Sequence, residues 1–223
     1  MKICVYAISK NEEKFISRWV KSMKEADEIY VLDTGSTDNT VKKLQELGVN
    51  VTQKIINPWR FDTARNESLK LVPTDTDICV CTDLDEIFEP GWRKKLEEQW
   101  TKDATRARYN YNWSLDKNNK PIVNFNIEKI HIRNNYKWTH PVHEVLTYTK
   151  DKEKIITLKD ITINHYPDFT KSRSSYLPLL ELSIQEDPED RIQRLVPDWS
   201  QNNPGWTSAK SVQQQSGLRL RQP

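Results

Sequence analysis

The segment TDLDEIF at 82–88 sets Asp83, Asp85 and Glu86 directly behind a largely apolar run at 77–81. Three carboxylates so close together repel one another unless positive charge lies among them, because unit charges about 4 Å apart interact by about 1 kcal/mol even in bulk water. If the chain stays extended here, Asp83 and Asp85 project to one side with α-carbons about 6.6 Å apart, two strand rises. Carboxylates at that separation can close on one hard divalent cation, with oxygen ligands at about 2.0–2.2 Å and coordination positions left over for phosphate oxygens. The competing account is a solvated loop whose acidic side chains favour the start of a helix beyond Pro90, Gly91 and Trp92.

Other residues could share that chemistry. Asp33 and Asp38 flank Gly35, which allows a tight turn, and Ser36 or Thr37 can cap a following helix. Capping accounts for Thr37 and Asp38 but not for Asp33, which precedes the turn and can accept hydrogen bonds from a base edge and a sugar hydroxyl. Arg65 lies one helical turn from Phe61, where its fork of donors suits either a diphosphate or a carboxylate. His140, His143 and His165 gather in one late stretch, with Glu144 beside His143. Trp92, Trp113 and Trp138 are candidates for stacking on a sugar face.

The elements that must position these residues follow from periodicity. Apolar runs at 2–8, 28–32, 49–56 and 77–81 read as buried strands. Between them, Phe15, Ile16, Trp19, Val20 and Met23 recur at helical spacing, as do Val41, Leu44 and Leu47 up to Gly48, and a third helix is expected over 61–72. Strand and helix alternating in this way imply parallel pairing with right-handed crossovers, and ligands in such α/β sheets collect at the carboxyl ends of the strands. TDLDEIF stands at one of those ends. Strands at 106–113, 122–132, 142–149 and 155–163, with a turn at 117–120, are expected to complete the same sheet. Tyr176, Leu177, Leu180 and Ile184 mark a last helix over 170–186. The expectation is one domain over 1–190, with a nucleotide-binding half at 1–100, an acceptor-side half at 101–169 and a terminal helix at 170–190. Residues 191–223 are polar and aperiodic, so weak order is expected there.

Thirty-four Lys and Arg against 32 Asp and Glu leave a formal charge of +2, so no global field favours nucleic acid or an acidic membrane. Cys4, Cys79 and Cys81 fall inside the apolar runs without C-x-x-C spacing, as core residues of a protein in a reducing compartment would. No apolar stretch approaches about 18 residues. We expect a cytoplasmic protein without a transmembrane segment or nucleic-acid partner, peripheral attachment at the inner membrane face remaining open.

Taken together and in order, 8–13 (ISKNEE), 31–40 (VLDTGSTDNT), 61–66 (FDTARN) and 83–86 (DLDE) resemble the family 2 glycosyltransferases of the GT-A fold, over roughly residues 2–190. The resemblance implies a mostly parallel central sheet flanked by helices, and a metal-dependent inverting transfer from a nucleotide-sugar, by default a UDP-sugar, with Mn2+ or Mg2+ as cofactor. It implies that Ile8, Lys10, Asn11, Glu12, Asp33, Asp62, Arg65 and Asp83 surround the nucleotide, and that Asp83 and Asp85 hold the metal, with His165 or His143 as a further ligand. Glu144 becomes the expected general base, and Lys171 and Arg173 could reach the diphosphate. The acceptor is a saccharide, lipid-linked or peptide hydroxyl, and relatives of this size suggest cell-surface polysaccharide biosynthesis.

Rival readings meet specific obstacles. A haloacid-dehalogenase-like phosphohydrolase with Asp83 as nucleophile would carry its motif on the first strand. An aspartic protease would be all-β and glycine-rich, whereas this chain has 5 Gly. A nucleotidyltransferase would open with a Gly-rich loop, absent from Ser9-Lys10-Asn11-Glu12, and a non-catalytic nucleotide-sugar-binding module could discard Asp83 and Asp85.

Overall fold

The computed structural model describes residues 1–168, 170 and 176–188. The chain runs β1 (Ile3–Ser9), α1 (Ile16–Met23), β2 (Glu28–Asp33), α2 (Thr40–Glu46), β3 (Asn50–Gln53), α3 (Phe61–Leu71), β4 (Ile78–Cys81), β5 (Glu86–Phe88), α4 (Trp92–Gln99), β6 (Arg106–Leu115), β7 (Pro121–Ile132), β8 (Tyr136–Thr139), β9 (Val145–Tyr148), β10 (Ile155–His165) and α5 (Tyr176–Glu186). Lys171, Arg173 and the 191–223 tail lie outside the described residues.

Eight strands form one mixed sheet in the order β3-β2-β1-β4-β7-β6-β10-β5. The pairs β3/β2, β2/β1, β1/β4 and β10/β6 are parallel, whereas β7 is antiparallel to both neighbours and β5 to β10. The expected α/β sheet is therefore present. Its two faces follow from side-chain alternation along the central strands. Ile3, Val5, Ala7, Ile78 and Val80 point to one face, where Trp19 and Met23 of α1, Leu44 of α2 and Trp92 and Leu96 of α4 cover them. Cys4, Tyr6, Cys79 and Cys81 point to the other, under Leu69 of α3 and Tyr136, Trp138 and Leu146. Each large apolar side chain fully buried there contributes about 1.5–3 kcal/mol. The three cysteines are free and buried, as their apolar runs imply.

Three differences from the periodicity reading have physical causes. Strand β3 stops at Gln53 rather than 56, because β2, its one neighbour among the described residues, ends at Asp33, and the Lys54 N–H to Asp33 carbonyl bond (2.9 Å) is the last rung. The run at 142–149 does not join the main sheet: among the described residues β9 pairs with β8 alone, as a separate ribbon laid across α3. Glu86–Phe88 forms a short strand of its own that periodicity did not mark, because it finds Ile163–His165 of β10 as an antiparallel partner.

Candidate active site

The loops leaving β1 and β2 are laced together. The Asn11 N–H donates to Ser36 Oγ (2.8 Å), and Asn11 Oδ1 accepts the Thr37 N–H (2.8 Å). The Glu12 N–H reaches Thr40 Oγ1 (2.8 Å), and Glu13 accepts from Asn39. Asp33 is 0% exposed beneath this lacing. Its carboxylate accepts from Ser9 Oγ (3.0 Å), Ser36 Oγ, and the N–H groups of Gly35 (3.2 Å) and Ser36 (3.0 Å). Asp33 thus builds the turn and is saturated by it. Gly35 is needed there: its φ is +109°, and a Cβ would stand 2.7 Å from Ile55 Cδ1. Ile8 is the penultimate residue of β1, opposite Leu32, and Lys10 is exposed.

At the tip of β4 the chain turns instead of staying extended. Leu84 and Asp85 occupy a turn closed by the Glu86 N–H on the Asp83 carbonyl (3.0 Å), with Leu84 buried at its centre. Asp83 and Asp85 consequently face different partners. Asp83 Oδ1 accepts from Arg65 Nη2 (2.7 Å) and Oδ2 from Lys129 Nζ (3.2 Å), while Lys129 also reaches Glu86 Oε1 (3.1 Å). The positive charge among the carboxylates is therefore a guanidinium and an ammonium supplied by the protein. Sheet register delivers the latter: Val80 lies opposite Ile130, so Lys129 is one step on, beside the end of β4.

Asp85 faces β10. The β5/β10 register sets Glu86 against His165, the Tyr166 N–H donates to the Asp85 carbonyl (2.8 Å), and Asp85 Oδ2 comes within 3.3 Å of His165 Nε2. His165 stacks on Trp113, ring centroids 4.8 Å apart, and its Nδ1 is 3.0 Å from the Trp113 carbonyl. A carbonyl can only accept, so Nδ1 carries a proton and the Nε2 edge is the one turned to Asp85.

The second half contributes Glu144 through α3. Arg65, 4% exposed, donates from Nε to Glu144 Oε1, so one guanidinium holds Asp83 with one arm and Glu144 with the other. The same helix pins the segment that carries Glu144. Asn66 Oδ1 accepts the Trp138 N–H (2.9 Å) while its Nδ2 donates to the Trp138 carbonyl (2.8 Å), and the Phe61 N–H reaches the Pro141 carbonyl (2.9 Å). Asn66→Asp removes a donor and sets a carboxylate against a carbonyl. We expect a loss of about 1–3 kcal/mol in thermal or urea unfolding, with Asn66→Gln also destabilised because its amide is one methylene out of register.

Electrostatics follow from burial and these partners. Burial alone would raise the Asp83 carboxyl, but the charges of Arg65 and Lys129 outweigh it and hold the group well below the usual carboxylate range. Glu86 is pushed up, first by burial and then by the charges of Asp83 and Asp85. For His165 burial acts downward, yet the hydrogen bond and charge of Asp85 prevail and raise it.

Among the described residues, no three His, Cys, Asp or Glu side chains are grouped so as to hold a metal ion. The expected set of Asp83, Asp85, His143 and His165 is not assembled, since Asp83 is engaged by Arg65 and Lys129 and exposed His143 lies edge-on to Tyr176 of α5, 6.4 Å between centroids. The pair Asp85 and His165 does fit a cation. Adjacent ligands of an octahedral ion at about 2.1 Å are about 3 Å apart, close to the spacing of these two atoms. Magnesium-type sites are commonly completed by one or two side chains together with substrate phosphates.

Other expectations move. Asp62 is bound by Arg60 in a two-armed pair (3.0 and 2.8 Å), and Arg60 also holds Glu186 of α5, so Asp62 fastens the start of α3 to the last helix. Trp92 and Trp138 are core residues, closed to a sugar. The first stacks on Phe88 and donates to the Ser22 carbonyl (3.0 Å), and the second donates to the Tyr6 hydroxyl (2.9 Å) with Arg65 against its ring. Trp113, half-buried against His165, remains at the site. Lys129 and Asn66 were missed because only long-range pairing brings them to the β4 tip and to Trp138.

Comparison with known proteins places the chain. The family model for glycosyl transferase family 2 matches residues 4–152. An uncharacterized glycosyltransferase of Rickettsia typhi is 44% identical over 59 residues, 26% of this chain and 19% of that protein. A Rickettsia conorii counterpart is 41% identical over 59 residues, 26% of this chain and 20% of that protein. The matched stretch is about a fifth of the length of these relatives. Glucosyl-3-phosphoglycerate synthase from Mycobacterium tuberculosis, in complex with Mn2+, UDP and glucosyl-3-phosphoglycerate, gives a TM-score of 0.42 at 26% identity, covering 49% of this chain and 44% of that one. Its complex with Mn2+, UDP-glucose and phosphoglyceric acid gives 0.43 at 25% identity, covering 50% and 44%. Since the family match runs from the first strand to just beyond β9, well over half of the chain, this protein belongs to glycosyl transferase family 2.

Proposed function

We propose that the chain transfers a sugar, with inversion, from a nucleotide-sugar donor to an acceptor hydroxyl, and that Mn2+ or Mg2+ assists at the β4 tip. The observation that carries this reading is the approach of Asp85 to His165 beside Asp83, at the carboxyl end of a central strand of a family 2 domain. A UDP-sugar is the donor to test first. Asp85 and His165 would hold the cation, which when bound supplies Lewis acidity toward the diphosphate oxygens. Asp83, fixed by Arg65 and Lys129, presents a pre-set carboxylate edge to the donor. Asp33 acts by shaping the loop around the nucleotide, since its own acceptor capacity is spent on Ser9, Gly35 and Ser36. Ile8, Lys10, Asn11 and Glu12 form the facing wall.

Glu144 is the proposed base. It would take the acceptor proton as the hydroxyl oxygen attacks the anomeric carbon and the bond to the diphosphate breaks. The support is positional: Arg65 ties Glu144 to Asp83, so the acceptor side and donor side share one anchor. Glu144→Gln is expected to leave UDP affinity in calorimetry unchanged and to lower transfer by about 10²–10⁴-fold. Normal turnover in that variant would place the base elsewhere.

No described helix is long and apolar enough to cross a membrane. Whether the acceptor is a saccharide, a lipid-linked sugar or a peptide is decided outside the acidic tip.

A further inference from the structure

An open cleft of about 460 Å³ lies between the start of α1, the β6–β7 turn and the residues following β10, with Lys14, Arg18, Asp116, His165 and Tyr166 in its lining. Ligand sites of small molecules usually fall at about 300–1,000 Å³. It meets the acidic tip at the His165 ring, whose Nε2 edge faces Asp85.

The cations of this cleft differ. Lys14 is committed to Asp168. Arg18 is exposed, and its guanidinium carbon lies over the rings of Phe15 (4.8 Å to the centroid) and Tyr166 (4.7 Å), with one bond from Nη2 to the Tyr166 carbonyl (3.3 Å). Among the described residues no carboxylate pairs with it. Two ring contacts and one backbone bond restrain the side chain, and that bond occupies one of its five N–H groups. A restrained guanidinium with free donors suits a carboxylate or phosphate, which its fork can take in two-armed fashion. The facing acid does not compete. Asp116 Oδ1 is turned into its own loop, accepting the N–H groups of Asn118 (2.7 Å) and Lys120 (2.8 Å).

We infer that this cleft is the acceptor subsite, and that the acceptor carries a phosphate or carboxylate group anchored by Arg18. The inference rests on the glycosyltransferase reading above and adds the chemical class of the acceptor. The cleft uses neither the Asp33 loop nor the Arg65 face, so occupation by an anion leaves the proposed donor wall free.

The test is calorimetric titration of the full chain, saturated with UDP and Mn2+, with glucose 6-phosphate, glucuronate and glucose. We expect one or both anionic sugars to bind and glucose not to. Arg18→Gln should weaken the anions at least tenfold while leaving UDP affinity within twofold, and Arg18→Lys should fall between. The inference is overturned if neither anion binds at millimolar concentration, if glucose binds as well as they do, or if Arg18→Gln binds them like the wild type. A variant that loses UDP together with the anions would move Arg18 to the donor side and overturn it equally. Failure of the wild type to bind UDP at all would instead bring down the parent reading, and this inference with it.

Discussion

Arg65→Met is expected to lower stability by about 3–5 kcal/mol, the usual result of removing one member of a buried ion pair, and to abolish transfer. The side chain is 4% exposed and makes three polar contacts, to Asp83, Glu144 and the Cys81 sulfur (3.3 Å), besides lying against Trp138. Methionine keeps the contact with the ring and leaves two carboxylates without their shared counter-charge. Lys129 would still serve Asp83, so Glu144 is the group left most exposed to the loss. Arg65→Lys tests geometry separately from charge, because one ammonium cannot span both carboxylates as a guanidinium does. It should recover more stability than activity. Urea unfolding and UDP release from a UDP-sugar are the two readouts, and a variant within about 1 kcal/mol of the wild type with normal turnover would refute the shared-anchor account.

Asp85→Ala should separate the two readouts, with a large loss of function and little loss of stability. Its pairing with His165 is partly exposed, and pairs of that kind contribute about 0–1 kcal/mol. As a direct ligand it should cost nucleotide affinity in Mn2+ more than the roughly 10–100-fold typical of an outer-shell partner, while the weak affinity measured in EDTA stays where it was. His165→Asn is expected to follow in the same direction. If Asp85→Ala bound UDP equally well with and without manganese, and as tightly as the wild type does in manganese, the metal would have no place at this tip.

Much of the architecture was legible in the chain because it depends on local periodicity. The alternation of Ile3, Val5 and Ala7 with Cys4 and Tyr6 foretells a strand covered on both faces, and the spacing of Ile16, Trp19, Val20 and Met23 a helix with one wet side. The failures share one cause: they concern pairings between residues far apart in sequence. Nothing local says that 145–148 will pair with 136–139, or that 86–88 will find 163–165. The acidic stretch shows the same limit at the site. Its composition required a positive neighbour, and an extended backbone made one cation the natural answer. A turn at Leu84 and Asp85 separated the carboxylates, and the strand register supplied Lys129. Arg65 was visible as a fork of donors, but whether it would meet phosphate or carboxylate depended on where Glu144 lay. Aromatic type alone also misled for Trp92 and Trp138, which the core needed first.

The most direct test of the central claim is anomalous diffraction from crystals grown with UDP and manganese. One manganese peak is expected within about 2.2 Å of both Asp85 Oδ2 and His165 Nε2, with diphosphate oxygens completing its shell. A bound nucleotide whose diphosphate lies away from these two side chains, with Asp85 and His165 still in contact only with each other, would contradict it.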